Sequence, residues 1–304
     1  MSQAYVVISS IADVHRFYNC GKPKHPLITV VDLASVTPNR DAHAVFYRSD
    51  LYVIMCKQFE GTLKYGRSYY DFEEGSLMFT APGQVVLSDP ELKVTEGWGL
   101  FFHPDLLAGT PLGSSIHDYT FFQYDSNEAL HVSEEENAIL LDCLAKIQRE
   151  CNQNIDRLTA TLIADNLQLL LNYCMRYYKR QFYTREKTSN DVVKSFEGLL
   201  LSYFSGEALR ESGIPDVKYF ASQLHLSPNY LSDLLSRFTG KTTQEHIHLQ
   251  LTEKAKVLLA GSDRTVGEIA FLLGFEHLSH FSKFFKNRTG LSPKDHRLRI
   301  RTGK

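Results

Sequence analysis

Two short stretches near the C-terminal end of this 304-residue chain hold the side chains best suited to recognition chemistry. One contains Asn229, Tyr230, Ser232, Asp233 and Arg237, and the other His277, Ser279, His280, Lys283 and Lys286. Amides and hydroxyls can pair with base edges in DNA, and lysines and arginines reach phosphates in many geometries. The charge distribution agrees. The net charge is −2, yet residues 190–304 hold 16 basic and 12 acidic side chains, against 17 and 23 in the first 189. Within Lys283–Lys304 there are eight basic residues and one acid, Asp295. A basic tract on an acidic chain is the footprint expected for phosphate contact.

The elements that position these groups are legible. In 217–240, Val217, Phe220, Ala221 and Leu224 share one helical face, and His225-Leu226 form a turn. Ser227 then caps a second helix, Pro228 takes its first position, and Leu231, Leu234 and Leu235 bury it. This pattern predicts a helix-turn-helix whose second helix fits a DNA major groove. The pattern recurs in 266–290. There Val266, Ile269, Ala270 and Leu273 precede a Gly274-Phe275 turn, and Phe281, Phe284 and Phe285 anchor the second helix. Superposing Ala221 on Ala270 leaves one extra residue in the second turn, so the interval of about fifty residues reads as an internal duplication. Thr243–Ala260 between them predicts a continuous helix about 27 Å long at 1.5 Å per residue. Such a spacer suits two recognition helices about one DNA turn (roughly 34 Å) apart.

Ile269-Ala270, Gly274-Phe275, Ser279, Phe281, Phe284-Phe285-Lys286, Thr289-Gly290, Ser292-Pro293 and Arg297 together resemble the AraC-type signature. The resemblance spans roughly 192–299, upstream SPNYLSDLL included. His296 stands where the family usually has Tyr or Phe, an aromatic packing position. Asp233 falls where some relatives place a basic DNA-contacting residue. The resemblance implies a transcription regulator of the AraC/XylS family, leaning toward activation, with double-stranded DNA and RNA polymerase as partners. It also implies an N-terminal cupin-like barrel that senses a small-molecule effector, followed by helices that form a homodimer.

The first half of the chain fits that plan. LITVVDL, HAVFYRS, LYVIMCKQF, RSYYDF, SLMFTA and EGWGLFFH are short, rich in β-branched and aromatic residues, and broken by turn signals. They suggest a small barrel or sandwich. Ser133 and Glu136 form a capping box, and Ile139, Leu140, Cys143, Leu144 and Ile147 stripe the helix behind it. A second helix is expected over about 158–179, and the polar stretch 183–191 is the candidate linker. The expected fold is therefore α+β: a small cupin-like β-barrel with two helices, then an all-α domain with two helix-turn-helix units and a linker helix. Residues 1–185 form the cupin-like effector and dimerisation domain in this reading, and 186–304 the DNA-binding domain.

Tyr47, Tyr69, Phe79 and Trp98 are the candidate ligand-binding residues, with Arg48, Lys57 and Arg67 available to an anionic ligand. No HxH pair lies in residues 1–132, so neither metal nor other cofactor is expected, and no catalytic residue is assigned. Five cysteines without CxxC pairing suit a reducing cytoplasm. No signal peptide and no membrane span is read, which places the expected protein in the cytoplasm without a membrane partner. Two rival readings remain: a cupin-like metalloenzyme with an appended DNA-binding module, and an interaction protein whose helix-turn-helix units no longer bind DNA.

Overall fold

The computed structural model describes residues 6–36, 46–59, 63–65, 68–70, 75–87, 94–125, 128–184 and 186–302. The chain divides into two units, Met1–Thr184 and Arg185–Lys304.

Strands and helices mix in the first unit. β1 (Val6–Ile8) leads into α1 (Ile11–Tyr18), whose start is fixed by a capping box between Ser10 and Asp13. The remaining strands are β2 (Ile28–Asp32), β3 (Phe46–Ser49), β4 (Tyr52–Phe59), β5 (Leu63–Tyr65), β6 (Ser68–Tyr70), β7 (Ser76–Thr80), β8 (Val85–Leu87), β9 (Val94–Phe102) and β10 (Leu130–His131). Five of them form an antiparallel sheet in the order β10-β7-β4-β9-β2. Alternation gives this sheet two apolar faces. Val31, Val53 and Phe101 pack with Ile11, Val14 and Tyr18 of α1 on one side. On the other, Tyr52 stacks on Phe102 at 5.0 Å, and Phe79 lies 4.5 Å from Phe121 between ring centroids.

The expected barrel does not close among the described residues. β10 and β2 stay as sheet edges, while β1, β3 and β8 form a separate three-stranded sheet and β5 pairs only with β6. Closure demands a continuous staggered ring of pairing, and these strands of three or four residues pair only with one another.

After α2 (Pro111–Ser115), α3 (Glu134–Cys151) and α4 (Thr159–Thr184) cover the sheet. The Ser133–Glu136 capping box forms, and Leu140, Cys143, Leu144 and Ile147 are buried while Ile139 is exposed. Arg180 of α4 bonds the His131 carbonyl (2.7 Å) and the Glu136 carboxylate (2.8 Å), locking helix to strand. The polar stretch expected to be a linker is mostly helical: α4 runs to Thr184 and α5 (Glu186–Ser205) begins two residues on. Glu, Lys and Arg are good helix formers, so polarity there did not signal coil.

The second unit is helical throughout its described residues. α6 (Ala208–Ser212), α7 (Val217–Leu224), α8 (Pro228–Thr239), α9 (Thr243–Gly261), α10 (Val266–Leu272), α11 (Leu278–Thr289) and α12 (Pro293–Thr302) follow α5. They share one core that includes Phe196, Phe220, Leu231, Leu251, Ile269, Phe281 and Phe285. Among the described residues, no helix is long and apolar enough to cross a membrane.

Candidate nucleic-acid interface

Each recognition helix is held by a helix before it and by α9 between them. In the first helix-turn-helix, Asp216 caps α7 and Ser227 caps α8, its Oγ accepting from the Tyr230 amide at 3.2 Å. His225 makes the turn in the left-handed region (φ 57°). In the second, a Thr265–Glu268 capping box starts α10, and Gly274 (φ 82°) makes the turn before α11. Gly274 also lies against backbone: a Cβ there would sit 2.9 Å from Gly213 Cα and from Ile214 N. Two demands thus meet at one residue, a positive φ and a close approach.

α9 is the scaffold for both. A Thr242–Glu245 capping box starts it, and its 19 residues span about 28 Å at 1.5 Å each. His246 bonds Thr239 Oγ1 at 2.7 Å, tying α9 to the end of α8. Arg288 meets His248 Nδ1 at 2.5 Å, and the His248 ring lies 5.3 Å from Phe284, tying α9 to α11. Burial pushes the His246 and His248 imidazoles below the usual histidine value, helped by Lys241 and Arg288 respectively. At the far end, Arg297 donates to the Leu259 carbonyl at 3.2 Å.

The predicted contact residues divide by environment. His277, Ser279, His280, Lys283 and Lys286 are all on α11 or at its N-cap; of these, His277, Ser279, His280 and Lys286 are exposed and Lys283 is exposed too. No side chain caps that helix start, and the His277 and His280 rings meet edge-on at 5.3 Å. This leaves the first turn of α11 open, which is where recognition helices meet base edges. On α8, Arg237 is exposed while Asn229, Tyr230 and Asp233 are half-buried. Ser232 is turned inward: its hydroxyl donates to the buried Thr243 Oγ1 at 3.1 Å. The structural ties of His246, His248, Arg288 and Arg297 were not read from sequence. Their types carry no packing signal, and only the fold brings them to α8, α11 and the α9 end.

The described N-terminal candidates have different surroundings. Trp98 is buried beside α3, Phe79 packs among Phe121, Phe122 and Tyr178, and Tyr47 meets Phe17 at 5.2 Å. Arg48 pairs with Asp50 at 3.1 Å. The side chains of Lys57 and Tyr69, and the whole of Arg67, lie outside the described residues. No group of three or more metal-binding side chains occurs among those described.

Residues 220–299 match the profile of a helix-turn-helix domain. The chain is 28% identical over 189 residues to the uncharacterized HTH-type transcriptional regulator YijO of Escherichia coli K12, covering 61% of this chain and 62% of that one. It is 30% identical over 141 residues to the HTH-type transcriptional activator RhaS of Salmonella schwarzengrund, covering 46% and 48%. Aligned regions thus span about half to three fifths of these relatives' lengths. Among solved structures, the C-terminal domain of AraT, a response regulator from Geobacillus stearothermophilus, is 26% identical with a TM-score of 0.31. That match covers 35% of this chain and 83% of AraT's. The C-terminal unit is a double helix-turn-helix domain built on one linker helix. Over part of its length the chain is similar to HTH-type transcription regulators.

Proposed function

We propose that this protein is a sequence-specific DNA-binding transcription regulator, with α8 and α11 entering successive major grooves. The observation that carries this reading is α11: five polar or basic side chains, His277 to Lys286, exposed on a helix whose aromatic face is buried. Lys283 and Lys286 serve as phosphate contacts, and His277, Ser279 and His280 face base edges. On α8, Asn229, Tyr230, Asp233 and Arg237 form the corresponding surface, with Ser232 acting through Thr243. Asp233 would repel phosphate, so the first helix-turn-helix is the weaker contributor to affinity. The curated relatives are named as regulators rather than enzymes, and RhaS as an activator, which supports an activating role with RNA polymerase as partner.

The first unit, in this reading, is the cupin-like effector-sensing and dimerisation domain of a cytoplasmic homodimer. Ile139, Leu162 and Leu169 are exposed on α3 and α4, an apolar surface that a second copy would cover, and this supports the dimer. Selection of genomic DNA fragments tests the reading. Wild type should enrich one bipartite motif, His280→Ala should blur one half of it, and Lys283→Ala should weaken enrichment about evenly across sequences. Equal enrichment of every fragment by all three proteins would overturn it.

A further inference from the structure

The first unit holds a cavity of about 340 Å³ between its five-stranded sheet and α3. That is the size range of small-molecule sites. We propose that this cavity binds an organic ammonium ion with an apolar body.

Register explains the sheet wall. Asp32 pairs with Trp98, and Trp98 with Cys56, so the three side chains lie abreast on one face. Val30 and Glu96 join them from two residues earlier on their own strands, as alternation requires. The helix wall is equally regular. Asn137, Leu141, Leu144 and Gln148 recur at helical spacing on α3.

The lining selects for charge. Asp32 and Glu96 are exposed at the rim, and no lysine, arginine or histidine lines the cavity among the described residues. An anion there would face two carboxyl groups. A cation gains from both, and Trp98 lines the same cavity; an indole is the best aromatic partner for an ammonium. Inside, the surface is mostly uncharged: Leu141, Leu144, Val30 and a Cys56 thiol that burial pushes up to about 12.

Asn137 adds orientation. Its Oδ1 accepts from Trp98 Nε1 at 3.3 Å and from Cys56 Sγ at 3.8 Å. An indole N–H only donates, so the oxygen must face the tryptophan. The Asn137 amide nitrogen then turns away from both partners and can donate to an oxygen on the ligand body. As an effector site the cavity rests on the sensing role proposed above. Binding itself does not, because its readout needs no DNA.

Trp98 is the single tryptophan of the chain, so tryptophan fluorescence reports this cavity alone. The full-length protein is titrated with phenethylammonium, 2-phenylethanol and 3-phenylpropanoate. We expect a saturable change with the ammonium ion at a Kd below about 10 mM, the range of a weak probe. The neutral and anionic analogues should bind several-fold more weakly or leave the signal unchanged. Asp32→Asn with Glu96→Gln should weaken the ammonium ion about three- to tenfold, as two partly exposed charge contacts imply. The Asp32→Asn change keeps a side-chain oxygen for the Ala34 amide, from which the Asp32 carboxylate accepts at 3.0 Å. Should that pair unfold, Glu96→Gln alone carries the test through the same charge preference. No saturable response to the ammonium ion, or an equal response to the propanoate, would overturn the proposal. A failed DNA selection beside a positive titration would sink the regulator reading and leave the site standing.

Discussion

Replacing Gly274 with alanine probes the turn that sets the angle of α11. The left-handed conformation costs a non-glycine residue about 1–2 kcal/mol. Alanine recovers about 0.4–1 kcal/mol through a less flexible unfolded chain. Those two effects leave a small net loss, which Gly240→Ala should show by itself. Gly240 has φ 73° and open space where a Cβ would go. At Gly274 the added carbon meets Gly213 Cα and Ile214 N at 2.9 Å, both backbone atoms that no rotamer change can move aside. Optimal carbon contacts are about 3.5–4.0 Å apart. The segment joining α6 and α7 must therefore shift against α10, an overpacking cost of about 1–3 kcal/mol. Gly274→Ala should lose about 2–4 kcal/mol and Gly240→Ala no more than about 1.5 kcal/mol. Urea unfolding followed by far-UV circular dichroism measures both variants, with the helical unit read as its own transition. If the two variants lose equal stability, the close approach of Gly213 to Gly274 is not what demands glycine.

Three further outcomes follow from the same geometry. Lys283→Ala and Lys286→Ala should each reduce the slope of log K against log salt by about 0.9, read by fluorescence anisotropy on a DNA duplex; an unchanged slope in both would remove them from the phosphate contacts. Burial lowers the His246, His248 and His296 values from the ordinary 6.5. The unfolded chain then binds more protons below about pH 6.5, so the C-terminal unit is most stable above that pH and loses stability as pH falls through it. Urea midpoints at about pH 7.5 and about pH 5.5, either side of the ordinary histidine value, check this, with His246→Gln expected to flatten the dependence. Ser227→Ala removes the acceptor of the Tyr230 amide at the start of α8 and should cost about 1 kcal/mol in the same unfolding assay.

The second unit was largely legible because its signals are local. Ser227 before Pro228, Gly274 before Phe275, and Thr265 three residues before Glu268 each fix a helix boundary within a few residues. His296 took the aromatic place expected of it, its ring 5.2 Å from Phe285. The first unit was less legible because its pairing is not local. Strand content could be read from alternation, yet the order β10-β7-β4-β9-β2 joins residues far apart in the chain. β1 and α1 went unread, although Ser10 and Asp13 form a capping box, because the helix is only eight residues long. Ser232 is suited by type to recognition chemistry, and only the crossing of α8 with α9 shows its hydroxyl on Thr243. The Trp98 cavity depends on register between three strands and on α3, which no window of sequence contains.

Footprinting of the protein on its selected site tests the central claim most directly. Two protected major-groove segments on one face of the duplex, about 10 bp apart, are predicted, with Lys283→Ala losing protection at one of them. Protection confined to a single groove, or spread evenly along the duplex, would contradict a double helix-turn-helix held at one spacing by α9.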